Sequence, residues 1–585
     1  MHVWKILPIL AELLWIYSLH VTEAHYIVYI LCGILSIVLT VCYERKQNQS
    51  MLDCILILVG AGLFSLANAL PQYMFFLPQY YPDAWIYQVY DGKIPGLLLY
   101  ASTFVCGVVV GYFIFQWIYS LKEVYIKASV RQSRLRAWVI PFVILTVIDL
   151  LFLFLWANPG IVTGDGMWQL NQIHDGIFIN HHPYWHTRIL KLFVDGVGHF
   201  SGNPNHAVLV YLILQILLMN AVIAWSVKQI YEWGFHPAVL VGTMAFYIFY
   251  PLHMIYSASM QKDMTFSIFV FLMVQMYAYI FYTGKTARRV SHIRLAYILF
   301  FLSAFMVCLM RNNGWAVMVA MFLSFLLLYR LQKKVMLVGL LLILMITHIM
   351  VGPVERMLDV YPTEECEKYG IPLQQMARAY VENDIASFTP EEIEYLDQVY
   401  FNLNELPGTY VTHSVDSVKF REVDSNWIAD HHDEFVQGYL NLAKKYPMSY
   451  VKAWIDLTKG YYSVAGYSSF VWDSGVDPNN VTGYCKGYTN GYVDQMYTCY
   501  LKWFDAFPLT KVLKSIGVYV WIVFLLFILA IMRRRRSLVV VYLPYLFLVG
   551  TLYLATPVYH EIRYIYPLVL SLPWLICKAF VKEEK

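Results

Sequence analysis

NHAVLVYLILQILLMNAVIAWSVK, residues 205–228, carries no Asp, Glu, Lys or Arg before its final Lys228. At 1.5 Å per residue, a helix of this length reaches across a hydrocarbon core of roughly 30 Å, so the stretch reads as a transmembrane span. Working outward from it, similar apolar runs fall at about 3–20, 25–43, 52–70, 94–120 and 138–157 on the N-terminal side. On the C-terminal side they fall at about 237–257, 264–283, 295–310, 315–330, 335–352, 512–532, 538–556 and 562–580. Composition agrees: 59% of the 585 residues are hydrophobic and 14% charged, where a soluble domain carries about a quarter charged. The expected fold class is therefore an all-α polytopic membrane protein of about fourteen transmembrane helices. Trp4 to Leu19, followed by Thr22 and Ala24, imitates a signal peptide, but a second span follows at once, which favours an uncleaved first helix.

The placement of charge sets an expected topology. Arg45/Lys46, Lys122 to Arg136, Lys228, Lys285/Arg288/Arg289, Arg330/Lys333/Lys334, Arg533 to Arg536 and Lys578/Lys582 all fall on one side if the spans alternate. The positive-inside rule makes that side cytoplasmic, with both termini there. The basic clusters read as topology anchors, and a net charge of +3 gives no reason to expect nucleic acid as a partner. Two large pieces then face outward, a first loop at about 158–204 and a segment from Gly352 to Lys511. The second is too long for a linker and rich in aromatics, so it reads as a packed extracytoplasmic domain of mixed structure. Within it, 376–400 and 430–446 read as helices, and 461–495 as aromatic loop or short strands. Six of the nine cysteines lie in or beside apolar spans, and no C-x-x-C spacing occurs. Cys485 and Cys499 can pair if their segment is extracytoplasmic; the odd Cys366 accompanies them.

The polar residues that apolar spans do not explain collect on the outer side. The first loop reads NPGIVTGDGMWQL over 158–170 and NHHPYWHT over 180–187. Asp165 has two open readings: a cap accepting backbone N–H groups of a short helix, or a general base at the membrane interface. Residues 186–200 have the apolar spacing of an amphipathic helix on the membrane or on the protein. Lys262-Asp263, Arg311-Asn312-Asn313-Gly314 and His560-Glu561-Ile562-Arg563-Tyr564 open or join spans on the same side. Charges there are costly unless paired or facing water, and snorkelling or pairing with Asp263 and Glu561 is the plain account of each. Together with Asp165, they suit a reaction in which an oxygen nucleophile is activated and a phosphate leaves. Asp149, inside the fifth span, is an intramembrane acid whose partner the sequence does not name.

These residues carry a resemblance. Pro159-Gly160, Asp165 with Gln169, His182-Pro183 through Thr187, Lys262-Asp263, Arg311 to Gly314 and Arg563-Tyr564 are similar to an uncharacterised bacterial family of multi-pass proteins. That family resembles the GT-C superfamily of membrane glycosyltransferases, and the likeness runs from about residue 138 to the C-terminus. It implies an N-terminal extension of four helices (1–137) and a GT-C-like transmembrane core (138–352). An extracytoplasmic domain (353–511) and C-terminal transmembrane helices (512–585) complete that division. It also implies a sugar on a polyprenyl phosphate as donor, a glycan or polymer as acceptor, and membrane lipids as surroundings. Asp165 and Asp263 match the family's catalytic acids, and Lys262, Arg311 and Arg563, with His182 and Gln169, are the implied contacts to the substrate and its lipid phosphate. Gly164-Asp165-Gly166 departs from the pattern of two neighbouring acids, so a divalent metal is not expected. The alternatives are a transporter or flippase of lipid-linked saccharides, and a polymerase or ligase of lipid-linked oligosaccharides.

Overall fold

The computed structural model describes residues 6–20, 27–42, 49–72, 93–121, 124–125, 135–282, 290–329, 334–464, 491–507 and 510–582. Each apolar run named above is helical within those residues. Among the described residues, eight helices are long and apolar enough to cross a membrane, and nine if a bent pair counts as one span. Ile6–Ile16, Ile30–Val41, Asn312–Leu328 and Ile516–Met532 are shorter apolar helices, as is Tyr566–Phe580. The chain is an all-α membrane protein; the expected count of about fourteen exceeds the eight or nine helices that meet the length of a span.

The bent pair is Pro237–Phe249 and Pro251–Ser257, which meet at 59°. Tyr250 between them is extended, with φ −89° and ψ 110°, because proline at the next position disfavours a helical conformation there. The break lets the chain turn before the Lys262–Tyr282 helix begins. Gln215 holds that turn in place: its Nε2 donates to the carbonyls of Ser257 at 3.0 Å and Ser259 at 2.9 Å. The first loop is then zipped to the turn, with Ile161 N–H donating to Ala258 O at 2.8 Å and Met260 N–H to Ile161 O at 2.9 Å.

The segment expected to form an extracytoplasmic domain of mixed structure is mainly helical in its described residues. Gly370–Glu382, Pro390–Val399, Asp416–Glu422, His432–Lys445 and Pro447–Thr458 enclose a core of their own that includes Leu373, Met376, Leu396, Val418 and Phe435. His432–Lys445 shows why: Phe435 and Leu442 face inward, Asp433 and Glu434 sit in the first turn, and Lys444 and Lys445 in the last. That pattern suits both a half-buried helix and its dipole. The short strands expected over 461–495 fall mostly on 465–490, outside the described residues, as does Cys485 and hence the proposed pairing with Cys499.

The outer segment docks on the loop before the last helix. Val415 N–H donates to Pro557 O at 2.9 Å, and Tyr559 N–H to His413 O at 3.0 Å. Gly460 belongs to the same contact: a Cβ there would overlap the Tyr559 carbonyl, so only glycine allows this approach. Elsewhere, part of the Arg533–Arg536 cluster ties together the chain near Leu121 and the end of the last helix. Arg533 donates to Ala579 O and Leu121 O at 2.8 and 3.0 Å, and Arg535 to Val581 O at 2.6 Å.

Candidate functional site

The helix Gly164–Asp175 starts three residues after the loop is zipped at Ile161, so its first turn is delivered against the backbone of the 258–260 turn. Gly166 permits this, since a Cβ would stand 2.7 Å from Met260 O. Thr163 is the N-cap and Asp165 lies in the first turn. The Asp165 carboxylate does not cap its own helix; it leaves the loop to meet two cations from distant parts of the chain. Lys262 Nζ and Arg563 Nη1 each stand 2.9 Å from its Oδ2. Its Oδ1 takes part in none of the hydrogen bonds or ion pairs among the described residues, and the side chain is 26% exposed.

His182 completes the group. Its Nδ1 is 2.8 Å from Lys262 Nζ, and because an ammonium only donates, this ring nitrogen accepts and the ring proton sits on Nε2. Glu561 Oε1 is 3.7 Å from Arg563 Nε, and the Glu561 backbone N–H donates to the Tyr461 hydroxyl at 3.2 Å. Tyr461 thereby positions the turn that carries Arg563.

Asp263 and Arg311 form a second, deeper pair behind the first. Arg311 Nε is 3.1 Å from Asp263 Oδ1, with the two side chains 9% and 1% exposed. The pair is close enough for charge attraction yet off-line for a hydrogen bond, and neither Asp263 oxygen has a hydrogen-bond donor among the described residues. The Arg311 guanidinium lies 4.7 Å over the Tyr564 ring, and Nη1 is 3.4 Å from Tyr564 O. Arg311 therefore buttresses the Arg563-Tyr564 turn from below. Gln169 is fully buried: its amide lies 2.8 Å from Thr187 Oγ1 and 3.0 Å from His186 Nδ1, and His186 in turn meets Tyr211. In this arrangement Gln169 holds the two parts of the first loop together and presents nothing to a substrate.

The structure thus brings Asp165, Lys262, Arg563 and His182 to one place. It sets Asp263 and Arg311 beneath them and Gln169 to one side. Sequence reasoning did not find Glu355 or Trp185, which flank the same loop; a Glu-Arg pair directly after an apolar run was the available signal for Glu355.

Burial alone would raise the Asp165 carboxyl, but the Lys262 and Arg563 charges, with His182, overcome it and hold the group well below the usual carboxylate range. Burial, reinforced by Lys262, pushes His182 down to about 2 and His186 down to about 3, so both rings are neutral. Each depressed histidine contributes stability that is present above its unfolded value of about 6.5 and lost as pH falls below it, because the unfolded chain then binds protons the folded chain refuses. The apparent melting temperature in detergent is accordingly expected to fall from pH 7 to pH 5, with a shallower slope in His182→Asn. Equal slopes in the two proteins would count against a buried neutral His182.

Residues 167–585, more than two thirds of the sequence, match the model of a family of unknown function, DUF6020. The chain belongs to that family. The match takes in His182, Lys262, Asp263, Arg311 and Arg563, begins two residues after Asp165, and leaves outside the five helices that end at Leu155. No curated protein and no solved structure matches the chain.

Proposed function

We propose that the chain is a membrane glycosyltransferase of GT-C type that moves a sugar from a polyprenyl-phosphate donor to an acceptor hydroxyl on the extracytoplasmic side. The observation that carries this reading is the Asp165 carboxylate, with one oxygen held by Lys262 and Arg563 and the other free of protein partners. Two fixed cations on one carboxylate oxygen make a place where a phosphate could replace that oxygen. An arriving phosphate would draw Lys262 and Arg563 toward itself. Asp165, relieved of both, would return toward the ordinary carboxylate range and become a better base. Its Oδ1 would then take the proton of the acceptor hydroxyl while the acceptor oxygen bonds to the anomeric carbon with inversion. The bond from that carbon to the phosphate oxygen breaks, its electron pair leaves on the polyprenyl phosphate, and the same cations stabilise the charge. Asp263 keeps Arg311 in place under the turn, and the outer domain selects the acceptor. In this reading about fourteen helices cross the membrane with both termini cytoplasmic and the outer helical segment extracytoplasmic.

Two observations favour transport of a lipid-linked saccharide. The span broken at 59° and the buried Asp149, whose carboxylate accepts from Asn220 at 2.8 Å, are features that transporters use near the bilayer centre. Proteoliposomes loaded with a labelled polyprenyl-phosphate sugar and an envelope extract as acceptor separate the two. Label leaving the lipid for a water-soluble or polymeric product supports transfer; intact lipid crossing the bilayer without release of label removes it.

A further inference from the structure

The helices Arg136–Leu155, Pro204–Glu232 and Pro237–Phe249 leave a groove of about 570 Å³ between them. The third helix is packed from one side only. Thr243 and Tyr247, one turn apart, face the molecule, and the Tyr247 hydroxyl donates to Leu570 O at 2.7 Å. Leu240, Met244 and Ile248, also one turn apart, line the groove instead. Ile140 lines it from the first helix and stays 55% exposed. In a helical membrane protein such a surface meets lipid, because the bilayer is the apolar solvent around it.

The polar side chains that line the groove are Arg136 and Tyr231. Each stands within one residue of an end of its helix, where a membrane helix reaches the headgroups. No Asp or Glu lines the groove. Arg136 is exposed, and its guanidinium takes part in no hydrogen bond or ion pair among the described residues. Leu155, which leads into the first loop, is about 28 Å away along the same helix. This cation therefore belongs to the end of the molecule remote from Asp165.

Length and charge select the occupant. The 13 residues of Pro237–Phe249 rise about 20 Å, and one leaflet fills roughly half of a hydrocarbon core of about 30 Å. The lining ends at Phe249, just before the break at Tyr250. One acyl chain of a phospholipid matches that length, whereas the much longer chain of a polyprenyl phosphate would run past the break. A guanidinium with no carboxylate opposite it calls for a phosphate, and basic pockets between membrane helices take anionic headgroups. A zwitterionic headgroup would bring a second cation to the place that already holds one. We propose that this groove binds an anionic phospholipid, with an acyl chain along Pro237–Phe249 and the phosphate on Arg136. The site is separate from the Asp165 cluster and does not depend on the reaction proposed there.

The test is native mass spectrometry of the full chain released from detergent after addition of dioleoyl phosphatidylglycerol, dioleoyl phosphatidylcholine or undecaprenyl phosphate. Phosphatidylglycerol is expected to be retained at about tenfold lower concentration than phosphatidylcholine, and Arg136→Ala to weaken its retention about tenfold. Ala245→Trp, which fills the groove and leaves Arg136 in place, is expected to abolish it. Should Ala245→Trp fail to elute as a single species, Arg136→Ala, at an exposed helix end, carries the test. Equal retention of the two phospholipids, or unchanged phosphatidylglycerol retention in Arg136→Ala, overturns the headgroup site and leaves Arg136 a cation turned to water. Full retention in folded Ala245→Trp protein places the lipid elsewhere and overturns the groove. Preferential retention of undecaprenyl phosphate overturns the phospholipid as its occupant.

Discussion

Asp165→Asn protein is expected to transfer sugar about 10²–10⁴-fold more slowly than the wild type, the usual contribution of a positioned general base. The same variant is expected to bind undecaprenyl phosphate more tightly. Both effects follow from one geometry. The wild-type carboxylate occupies Lys262 and Arg563 at 2.9 Å each, so a phosphate must compete with it for them. An asparagine of the same shape surrenders the cations and cannot accept a proton. The expected signature is a lowered kcat with a lowered KM for the donor, measured as initial rates in proteoliposomes with a labelled polyprenyl-phosphate sugar. If Asp165 only braced the loop, its loss would disorder both cations and raise KM instead. Transfer at the wild-type rate would remove the carboxylate from the base role altogether.

The second large effect concerns the pair beneath the site. Arg311→Ala leaves the Asp263 carboxylate buried at 1% exposure without its ion-pair partner and, among the described residues, without a hydrogen-bond donor. Breaking a buried ion pair in this way costs about 3–5 kcal/mol. The expected observation is a clear fall in the apparent melting temperature of the detergent-solubilised protein and a poor yield of monodisperse material. Removing both charges at once, as Arg311→Met with Asp263→Leu, is expected to recover most of that stability, because the desolvation of two ions is removed along with their attraction. Recovered stability without recovered transfer would assign Arg311 its positioning role under Tyr564. If Arg311→Ala proved as stable as the wild type, the pair would contribute nothing and the buttress would be refuted.

The residues of the site were legible in sequence for a simple reason. A charged side chain at the end of an apolar span is expensive, so Lys262, Arg311 and Arg563 stand out against their surroundings as individual letters. The basic loops supplied the expectation that they share one side. What the letters do not contain is which cation meets which acid. Asp263 is the chain neighbour of Lys262, yet it pairs with Arg311, while Lys262 turns to Asp165, nearly a hundred residues earlier in the chain. Adjacent residues at the start of a helix point about 100° apart, so they serve different partners. Gln169 is a different case. The resemblance implied it as a substrate contact, and in the fold Thr187 and His186 pack against its buried amide. The outer segment was read as mixed because its aromatics suit strands as well as helices; burial of one face each, as in His432–Lys445, decided for helices.

Hydrophobic length and charge placement are local properties, since a span needs only its own twenty or so residues to prefer the bilayer. From them the sequence alone determined that this is a helical membrane protein, where its apolar helices lie and which polar residues are out of place. The bend at Tyr250, the zipping of Ile161 to Ala258 and Met260, and the sharing of one Asp165 oxygen by Lys262 and Arg563 depend on contacts between parts of the chain up to about 400 residues apart. Burial and geometry at those contacts decide which charges are neutralised and which atoms stay free for a ligand, and only the tertiary structure contains them.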